Sequence, residues 1–443
     1  MLISFKVSNY LSFNKEVEFC MAPGRGRLHE NHVIKNEIKP YILKSGIIYG
    51  ANASGKSNLI RAINFAKNLI VEGIKPDKNI LRNYFKLDEE NATLPTKFEF
   101  ILKHKERVFR YGFTFNSKCI QEEWLYELLK TTEKSLFNRE TISDTKTEVK
   151  YGIKFRNKKE KMRFEIMGEN TRANQLFLNK TRYENEKEYF NIPYEWFGDV
   201  LTIIFPKTKP FNIVLYMYND KKLCQQFIPL FKYFDLGIEG IETEKTDIKK
   251  EGSYLPPEIL EEMSKSAKSN EVFVFDNENT ILLRDEQGEL KFLELYTNHK
   301  KKNKNETVKF KLQEESDGTQ RMFDLIPALL MLKQGNKVIL VDEIGRSLHP
   351  HLSYGFFKFF FEETAGKNSQ LIATTHDVHL LNLDLFRKDE IWFIEKNKFG
   401  ESEVYSLEEF KPRYDKDIQN GYLSGRFGAI PIIYSPKDLG WLK

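Results

Sequence analysis

The sequence has few cysteines and lacks any long hydrophobic run. Its three cysteines, among 443 residues, are far apart and in no metal-binding or redox spacing, which excludes a cysteine-based metal or redox motif and suits a reducing compartment. The longest apolar helical run, Leu325–Leu332, is much shorter than the roughly 18 residues that a membrane span needs. The N-terminal residues alternate like a strand and do not form a signal peptide. We therefore expect a soluble, cytoplasmic protein without a membrane partner.

The chain also lacks a charge imbalance, an internal repeat and sustained heptads. Its 69 basic and 64 acidic residues give a net charge of +5, which is too balanced to indicate nucleic-acid binding by itself. Without heptads, a long coiled-coil arm is not expected. The only dense basic run is Lys300–Lys304, which is either a solvated loop or a local contact to a phosphate backbone. DNA binding therefore stays open as a property of a local surface patch.

The composition is that of a large globular protein. Apolar residues make up 40% and aromatic residues 14%, with 36 phenylalanines, which indicates packed aromatic interiors or a broad contact surface. Because 443 residues exceed the roughly 250–300 over which a single core grows, we expect two lobes or a large insertion.

Hydrophobic periodicity indicates where sheets and helices lie. Three alternating runs, Lys97–Leu102, Val108–Phe115 and Gln121–Tyr126, predict an antiparallel meander. Further expected elements are short strands at Val149–Phe155 and Met162–Ile166, helices within 171–234 that include Tyr194–Leu201, and a hairpin of Val272–Phe275 and Thr280–Leu283 around Asp276–Asn279.

Residues 50–57 fit the phosphate-binding pattern G-x-x-x-x-G-K-[ST] in full. An apolar strand-like run, Gly46–Tyr49, precedes them and a helical run follows, so the alternative of an ordinary strand-turn-helix connection is weak. Glycines let successive N–H groups point at one anion, and the helix adds its positive dipole end. The pattern predicts that Lys56 reaches the β- and γ-phosphates and that Ser57 ligates Mg²⁺. The candidate nucleotide-binding residues are Gly50, Asn52, Ser54, Gly55, Lys56, Ser57 and Asn58.

Two later strands can complete this site. Val338–Val341 is a buried-strand pattern that ends in Asp342 and Glu343, which predicts Asp342 in the Mg²⁺ shell and Glu343 polarising the attacking water. The second strand ends at His376, which can contact a γ-phosphate or make only a structural hydrogen bond. Two adjacent carboxylates beside phosphates would repel them without a metal, so the pattern calls for Mg²⁺.

A second anion-binding helix start is predicted far from the first. Ser316, Gly318 and Thr319 precede a helical run, where they are either an ordinary N-cap or a phosphate contact. One phosphate group does not readily need both helix starts from a single chain.

The order of these motifs resembles the ATP-binding-cassette (ABC) type of ATPase head found in RecF, chromosome-maintenance and OLD-family proteins. The order is the phosphate loop, Ser-x-Gly-Thr, Asp-Glu, Ser347–Pro350 and His376, and the opening Phe5–Phe13 is also similar. The tail segments Asp389–Phe393 and Tyr422–Pro431 further resemble stand-alone AAA-family ATPases of bacterial abortive-infection and anti-phage operons. The motifs span residues 2–431, although about 130–300 matches only in general layout.

The resemblance implies an α/β fold: a P-loop ABC-type ATPase head, with a mixed sheet flanked by helices and an antiparallel β subdomain, plus a helical insertion lobe. The implied division is 1–130 for the N-terminal half of the head, 131–305 for the insertion, and 306–443 for the C-terminal half.

The resemblance also implies residue roles. Ser316, Gly318 and Thr319 would be the signature segment that closes over the γ-phosphate of ATP held by the partner's Lys56. Ser347–Pro350, with His349, would be the D-loop, and His376 the switch histidine. Asp317 departs from the glycine often found there, and the Q-loop glutamine has only Gln175 as a weak candidate.

The resulting expectation is a head-to-tail homodimer, or a higher homo-oligomer, that sandwiches Mg-ATP and hydrolyses it with Lys56, Asp342, Glu343 and His376. The resemblance favours a sensor or scaffold ATPase that responds to phage and controls a separate effector such as a nuclease. A nuclease within this chain is not expected, because the glutamates that follow His376 form no compact acidic site. The alternatives are a RecF/SMC-like DNA-repair ATPase that clamps DNA, and a protein that uses ATP only to hold a dimer together.

Overall fold

The chain divides into two compact units in the computed structural model. The first unit comprises Met1–Pro206, Leu332–Gly345 and Phe357–Lys443, and the second comprises Lys207–Met331 and Arg346–Phe356. The structure describes residues 1–35, 37, 39–143, 146–182, 188–207, 213–247, 272–275, 280–284, 289–302, 306–412, 417–431, 433, 435, 436 and 439.

A seven-stranded antiparallel sheet forms one layer of the first unit. Its strand order is β10-β9-β8-β7-β6-β1-β2. The strands are β1 (Leu2–Ser8), β2 (Val17–Cys20), β6 (Thr96–His104), β7 (Arg107–Phe115), β8 (Ile120–Leu128), β9 (Glu133–Ser143) and β10 (Lys146–Tyr151), and a small separate sheet pairs β3 (Val33–Ile34) with β4 (Ile42–Leu43). The predicted meander is therefore confirmed as β6, β7 and β8.

A six-stranded sheet of order β11-β17-β18-β5-β19-β20 forms the other layer. All neighbouring strands are parallel except the edge strand β20, which is antiparallel to β19. The strands are β5 (Ser45–Tyr49), β11 (Leu201–Ile204), β17 (Val338–Val341), β18 (Gln370–Thr374), β19 (Ile391–Lys396) and β20 (Ser402–Ser406). The carboxyl ends of β5, β17 and β18 therefore meet at one edge of the sheet, where ligand sites of parallel sheets form.

Helix α1 (Lys56–Val71) belongs to the same hydrophobic core as both sheets. Its buried residues follow helical spacing, and its Phe65 ring packs against Tyr10, Phe98 and Phe115. The inner face of the antiparallel sheet is aromatic, with the rings of Phe5 and Phe100 4.6 Å apart. This core accounts for much of the phenylalanine content. The remaining helices of the first unit are α2 (Lys158–Glu169), α3 (Phe177–Thr181), α4 (Glu188–Glu195) and α9 (Ile418–Leu423).

The second unit combines helices with a five-stranded antiparallel sheet, so a sheet accompanies the helices expected there. The predicted hairpin is present as the antiparallel pair Val272–Phe275 and Thr280–Arg284. Its loop, residues 276–279, lies outside the described residues. The elements are α5 (Ile213–Asn219), α6 (Lys221–Tyr233), β12 (Gly240–Asp247), β13 (Val272–Phe275), β14 (Thr280–Arg284), β15 (Leu290–Lys300) and β16 (Thr307–Lys311). Two helices, α7 (Asp317–Gln334) and α8 (Pro350–Glu363), begin in this unit and end in the first.

The α/β fold expected from the sequence is confirmed, with a mixed sheet, helices and an antiparallel β part. The expected three-part division at residues 130 and 305 stays a prediction. Strands β9 and β10, which lie beyond residue 130, complete the same sheet as β8.

One local expectation was wrong. The segment predicted as a strand at Met162–Ile166 lies in helix α2, whose start is capped because the Asn157 side chain accepts a hydrogen bond from the Glu160 N–H. The helical run predicted at Tyr194–Leu201 is present up to Val200, because α4 is followed by a π-helix, Trp196–Val200, and only Leu201 belongs to strand β11. Within the part of the chain that the structure describes, no helix combines the length and hydrophobicity that a membrane crossing needs.

The two layers of the first unit are joined through the side chain of Gln370, which is completely buried at the start of β18. Its Oε1 accepts from the Leu2 N–H at 2.8 Å, and its Nε2 donates to the carbonyls of Leu2 at 3.0 Å and Leu43 at 2.9 Å. One amide therefore satisfies backbone groups of β1 and β4 that would otherwise be buried without partners.

We expect Gln370→Leu to lower the free energy of unfolding of the first unit by about 2–4 kcal/mol, because it leaves three buried backbone groups unpaired at nearly constant volume. Urea denaturation followed by tryptophan fluorescence measures this change. The matched control is Gln313→Leu at an exposed position, where the effect should stay within about 0.5 kcal/mol. Equal stability of the two variants would contradict the role of Gln370.

Candidate nucleotide site

The loop of residues 50–57 connects the buried strand β5 to helix α1, as the sequence predicts. Gly55 has φ +116°, and a Cβ atom there would lie 2.3 Å from Ser402 Oγ, so only glycine fits. The Ser54 hydroxyl is buried and, among the described residues, has no hydrogen-bond partner. An orphaned buried hydroxyl in a loop of this form fits a ligand-binding cradle.

Residues from both ends of the chain support this loop. Ser402 Oγ donates to the Ser54 carbonyl at 2.5 Å and lies 2.8 Å from Ser12 Oγ. Asn58 Nδ2 donates to Ser12 Oγ at 2.9 Å. Asn58, predicted as a nucleotide-binding residue, is thus placed beneath the loop, whereas Asn52 is exposed on it. The sequence analysis missed Ser402, for which no motif or periodicity provides a signal.

Lys56 is buried within the loop. Its Nζ donates to the carbonyls of Gly50 at 2.7 Å and Ala51 at 3.0 Å. Burial lowers the pKa of Lys56 to about 8, although the charges of Asp342 and Glu343 oppose this shift. The ammonium group therefore loses its proton at a lower pH than an exposed lysine does, and an added phosphate would favour its charged form.

Asp342 follows β17 and is buried next to the start of α1. Its Oδ1 accepts hydrogen bonds from Ser57 Oγ at 3.0 Å and from Thr374 Oγ1 at 2.6 Å. The structure thus brings together the serine and the aspartate that the sequence predicts as Mg²⁺ ligands. A hydroxyl and a carboxylate are hard oxygen donors of the kind that Mg²⁺ binds, so these residues fit the ion.

Glu343 and His376 lie at the same edge of the sheet. Glu343 has a left-handed backbone, with φ +52°, and its N–H donates to Thr374 Oγ1 at 2.8 Å. Partial desolvation, together with the charge of Lys56, lowers the pKa of His376, while Glu343 and Asp342 oppose the shift. The imidazole is therefore mainly neutral at pH 7. The structure thus brings Lys56, Asp342, Glu343 and His376 within electrostatic range of one another.

The predicted signature segment lies in the second unit. Ser316 precedes α7 and caps it, because its Oγ accepts from the Thr319 N–H at 3.1 Å. A Cβ atom on Gly318 would lie 2.8 Å from the Ser347 carbonyl, so glycine allows the predicted D-loop to approach this helix start closely. Ser316 and Asp317 are exposed, which leaves them accessible to another molecule.

His349, in the predicted D-loop, is exposed. Its Nδ1 accepts a hydrogen bond from the His351 N–H at 3.2 Å, at the start of α8. Ser347 has a left-handed backbone with φ +60°.

Gln175, the weak candidate for the Q-loop, is not near the phosphate loop. Its Nε2 donates to Asn179 Oδ1 at 3.3 Å, and Asn179 donates to the carbonyls of Ile70 and Val71. These carbonyls lie at the end of α1, about 20 Å along the helix from Ser57. Gln175 therefore belongs to the cap of α1 and not to the candidate site.

Two of the glutamates that follow His376, Glu390 and Glu401, lie in different surroundings. Glu390 is completely buried, where it accepts from Ser45 Oγ at 2.8 Å and lies 2.9 Å from His32 Nδ1. Glu401 accepts from Asn14 and Asn397. Each of these two carboxylates connects an N-terminal segment to the C-terminal part of the first unit.

Comparisons with known proteins were made by sequence and by structure. Residues 47–382 match the profile of a family described as "AAA domain, putative AbiEii toxin, Type IV TA system". No curated protein matches the sequence.

Solved structures of SMC head domains are similar to the chain. One is the SMC head bound to the C-winged helix domain of ScpA, with 13% identity, a TM-score of 0.43, and coverage of 92% of this chain and 99% of that chain. Another is the SMC head domain from Thermotoga maritima, with 13% identity, a TM-score of 0.37, and coverage of 91% and 98%. A third, with an extended coiled coil and bound to the C-terminal domain of ScpA derived from Pyrococcus furiosus, has 12% identity, a TM-score of 0.37, and coverage of 93% and 99%.

Because the pKa of Lys56 is about 8 in the free protein and nearby phosphates raise it, nucleotide binding above that pH should take up a proton. We expect ATP affinity to be level below about pH 8 and to fall up to about tenfold per pH unit above it. His376, whose pKa is lowered, is neutral throughout this window. Calorimetry in buffers of different ionisation enthalpy, at about pH 7 and about pH 9, measures the uptake.

The control is Lys44, whose pKa burial also lowers to about 8 but which precedes β5 at the end opposite the phosphate loop. Lys44→Arg should leave the proton uptake unchanged, whereas Lys56→Arg should abolish it. Uptake that persists in Lys56→Arg would assign the proton to another group.

Proposed function

The chain belongs to the family described as "AAA domain, putative AbiEii toxin, Type IV TA system". From that premise we propose that it binds and hydrolyses ATP as a head-to-tail homodimer. We further propose that this ATPase is the sensor or scaffold of an anti-phage, abortive-infection system and controls a separate effector. The observation that carries the ATPase proposal is the hydrogen bond from Ser57 Oγ to Asp342 Oδ1, at 3.0 Å, between residues 285 positions apart in sequence.

Each residue at the sheet edge then has a chemical role. Lys56 would neutralise charge on the β- and γ-phosphates, and Ser57 and Asp342 would hold Mg²⁺, which would supply positive charge beside the phosphates. Glu343 orients the attacking water and accepts its proton. His376, being neutral, offers a hydrogen bond to the γ-phosphate instead of a full charge.

The proposal of a dimer rests on the second predicted anion-binding helix start, the one that Ser316 caps. The phosphate loop lies in the first unit, and Ser316 caps α7 in the second unit, where Asp317 and Ser316 are exposed. In the proposed dimer, Ser316, Gly318 and Thr319 of one copy approach the γ-phosphate bound by Lys56 of the other. Two such sites form at once, because a head-to-tail pair related by a two-fold axis repeats each contact.

We expect Glu343→Gln to lower turnover by about 100-fold or more, because it removes the proposed base but leaves ATP binding intact. With ATP and Mg²⁺ the variant should accumulate as a dimer, which light scattering after size-exclusion chromatography detects. Without nucleotide it should match the wild type. An unchanged mass in saturating ATP would contradict the sandwich.

Mixing of variants tests whether each site is shared between copies. Lys56→Ala and Ser316→Arg should each be inactive alone. Mixed in equal amounts, half of the dimers carry one intact site of two, so about a quarter of wild-type activity should return. No recovery, with mixed dimers present, would place both halves of the site in one chain.

The effector proposal has separate support and a separate test. The family description names a putative toxin of a type IV toxin–antitoxin system, which supports a role of the ATPase in a toxic response. We expect the chain, together with its genomic neighbours, to reduce phage plating, and Glu343→Gln to abolish this protection. Growth arrest by this chain alone, without a neighbour, would contradict control of a separate effector.

DNA binding stays a prediction, because Asn303 and Lys304 of the basic run lie outside the described residues. ATPase assays with and without double-stranded DNA at several salt concentrations check it, since phosphate contacts weaken steeply with salt.

A further inference from the structure

Thr374 ends strand β18 and is completely buried between the ends of β17 and β5. Its hydroxyl makes two hydrogen bonds to consecutive residues of the neighbouring strand end. Oγ1 donates to Asp342 Oδ1 at 2.6 Å and accepts from the Glu343 N–H at 2.8 Å. One hydroxyl has one hydrogen to donate, so its donor capacity is fully used on the carboxylate.

The first of these bonds restricts the carboxylate of Asp342. Its Oδ1 already accepts from Ser57 Oγ, so two hydroxyls from opposite sides, α1 and β18, meet on one oxygen atom. Rotation of the carboxylate would break both bonds. Bonds from neighbouring groups that orient a metal-binding side chain commonly govern metal affinity.

The second bond supports the turn at Glu343. A left-handed backbone is unfavourable for a residue with a Cβ atom, by about 1–2 kcal/mol, so the φ of +52° needs support from its surroundings. On the β18 side, Thr374 supplies this support: its hydroxyl accepts from the Glu343 N–H, and its carbonyl accepts from the Ile344 N–H at 3.0 Å.

We propose that Thr374 is a positioning residue of this ATPase, which orients Asp342 for Mg²⁺ and holds the turn that places Glu343. This inference rests on the proposed function. Thr374 touches neither nucleotide nor water in this role, and it acts through the two acidic residues.

Two substitutions isolate the hydroxyl. Thr374→Val keeps the branched shape and removes both hydrogen bonds, whereas Thr374→Ser keeps the hydroxyl. The matched control is Thr364→Val, because Thr364 is also buried, at 1% exposure, and its hydroxyl donates only to the Phe360 carbonyl at 2.7 Å, at the end of α8. Both valine variants lose a buried hydroxyl, but only one loses it at the site.

The first measurement is Mg²⁺ binding without turnover. A slowly hydrolysed ATP analogue should raise the melting temperature of the protein, and a Mg²⁺ titration at fixed analogue gives the apparent Mg²⁺ affinity. We expect Thr374→Val to weaken that affinity by about 10–100-fold, and Thr374→Ser and Thr364→Val to change it less than about threefold. Analogue binding in EDTA should be the same for all four proteins.

The second measurement is a double-mutant cycle with Glu343→Gln, read by single-turnover hydrolysis at saturating Mg²⁺. If Thr374 acts through Glu343, Thr374→Val should slow the wild type at least tenfold more than it slows Glu343→Gln. A merely structural role would slow both backgrounds equally.

The outcomes separate the two proposals. If the wild type binds no nucleotide, the proposed function fails and this inference with it. If the wild type binds Mg-ATP but does not hydrolyse it, the proposed hydrolysis fails, and the Mg²⁺ titration alone decides the inference. If the wild type hydrolyses ATP while Thr374→Val matches Thr364→Val in both measurements, only the role of Thr374 is overturned.

Discussion

A buried carboxylate must be hydrogen-bonded, and the organisation of this molecule follows from how Asp342 meets that requirement. Its Oδ1 takes one hydroxyl from α1 and one from β18, while its backbone N–H donates to the Ile204 carbonyl at 2.8 Å in β11. Three elements besides β17 itself therefore fix a single residue. The parallel order of the strands is what makes this possible, since it delivers their carboxyl ends to one edge.

Burial and nearby charges have opposing effects on the pKa values of the groups around Asp342. Lys56 lies within reach of two carboxylates, yet burial lowers its pKa to about 8, so desolvation outweighs the attraction of those charges. His376 shows the same balance, with a pKa lowered by desolvation and by Lys56. A site with a weakly held proton on its lysine and a neutral histidine is suited to receive a strongly anionic ligand.

The sequence predicts what depends on local pattern. The phosphate loop, the meander and the acidic end of β17 lie where spacing and periodicity place them. Strand β11 could not be predicted, because its four residues follow directly on helical ones and become a strand only by pairing with β17. The segment at Met162–Ile166 alternates like a strand, but the Asn157 cap starts a helix there. Thr374 and Ser402 carry no motif, since their roles arise only from contacts between segments distant in sequence.

The hydrogen bonds of Ser402 have a consequence for how the protein is made. A ribosome releases the chain from its N-terminus, so Ser12 and the phosphate loop emerge well before Ser402, which lies 390 positions after Ser12. Until then the carbonyl of Ser54 lacks its partner and the loop lacks its lower support. A nascent polypeptide that has not yet reached Ser402 therefore carries the nucleotide motif without the hydrogen bonds that hold the loop in shape.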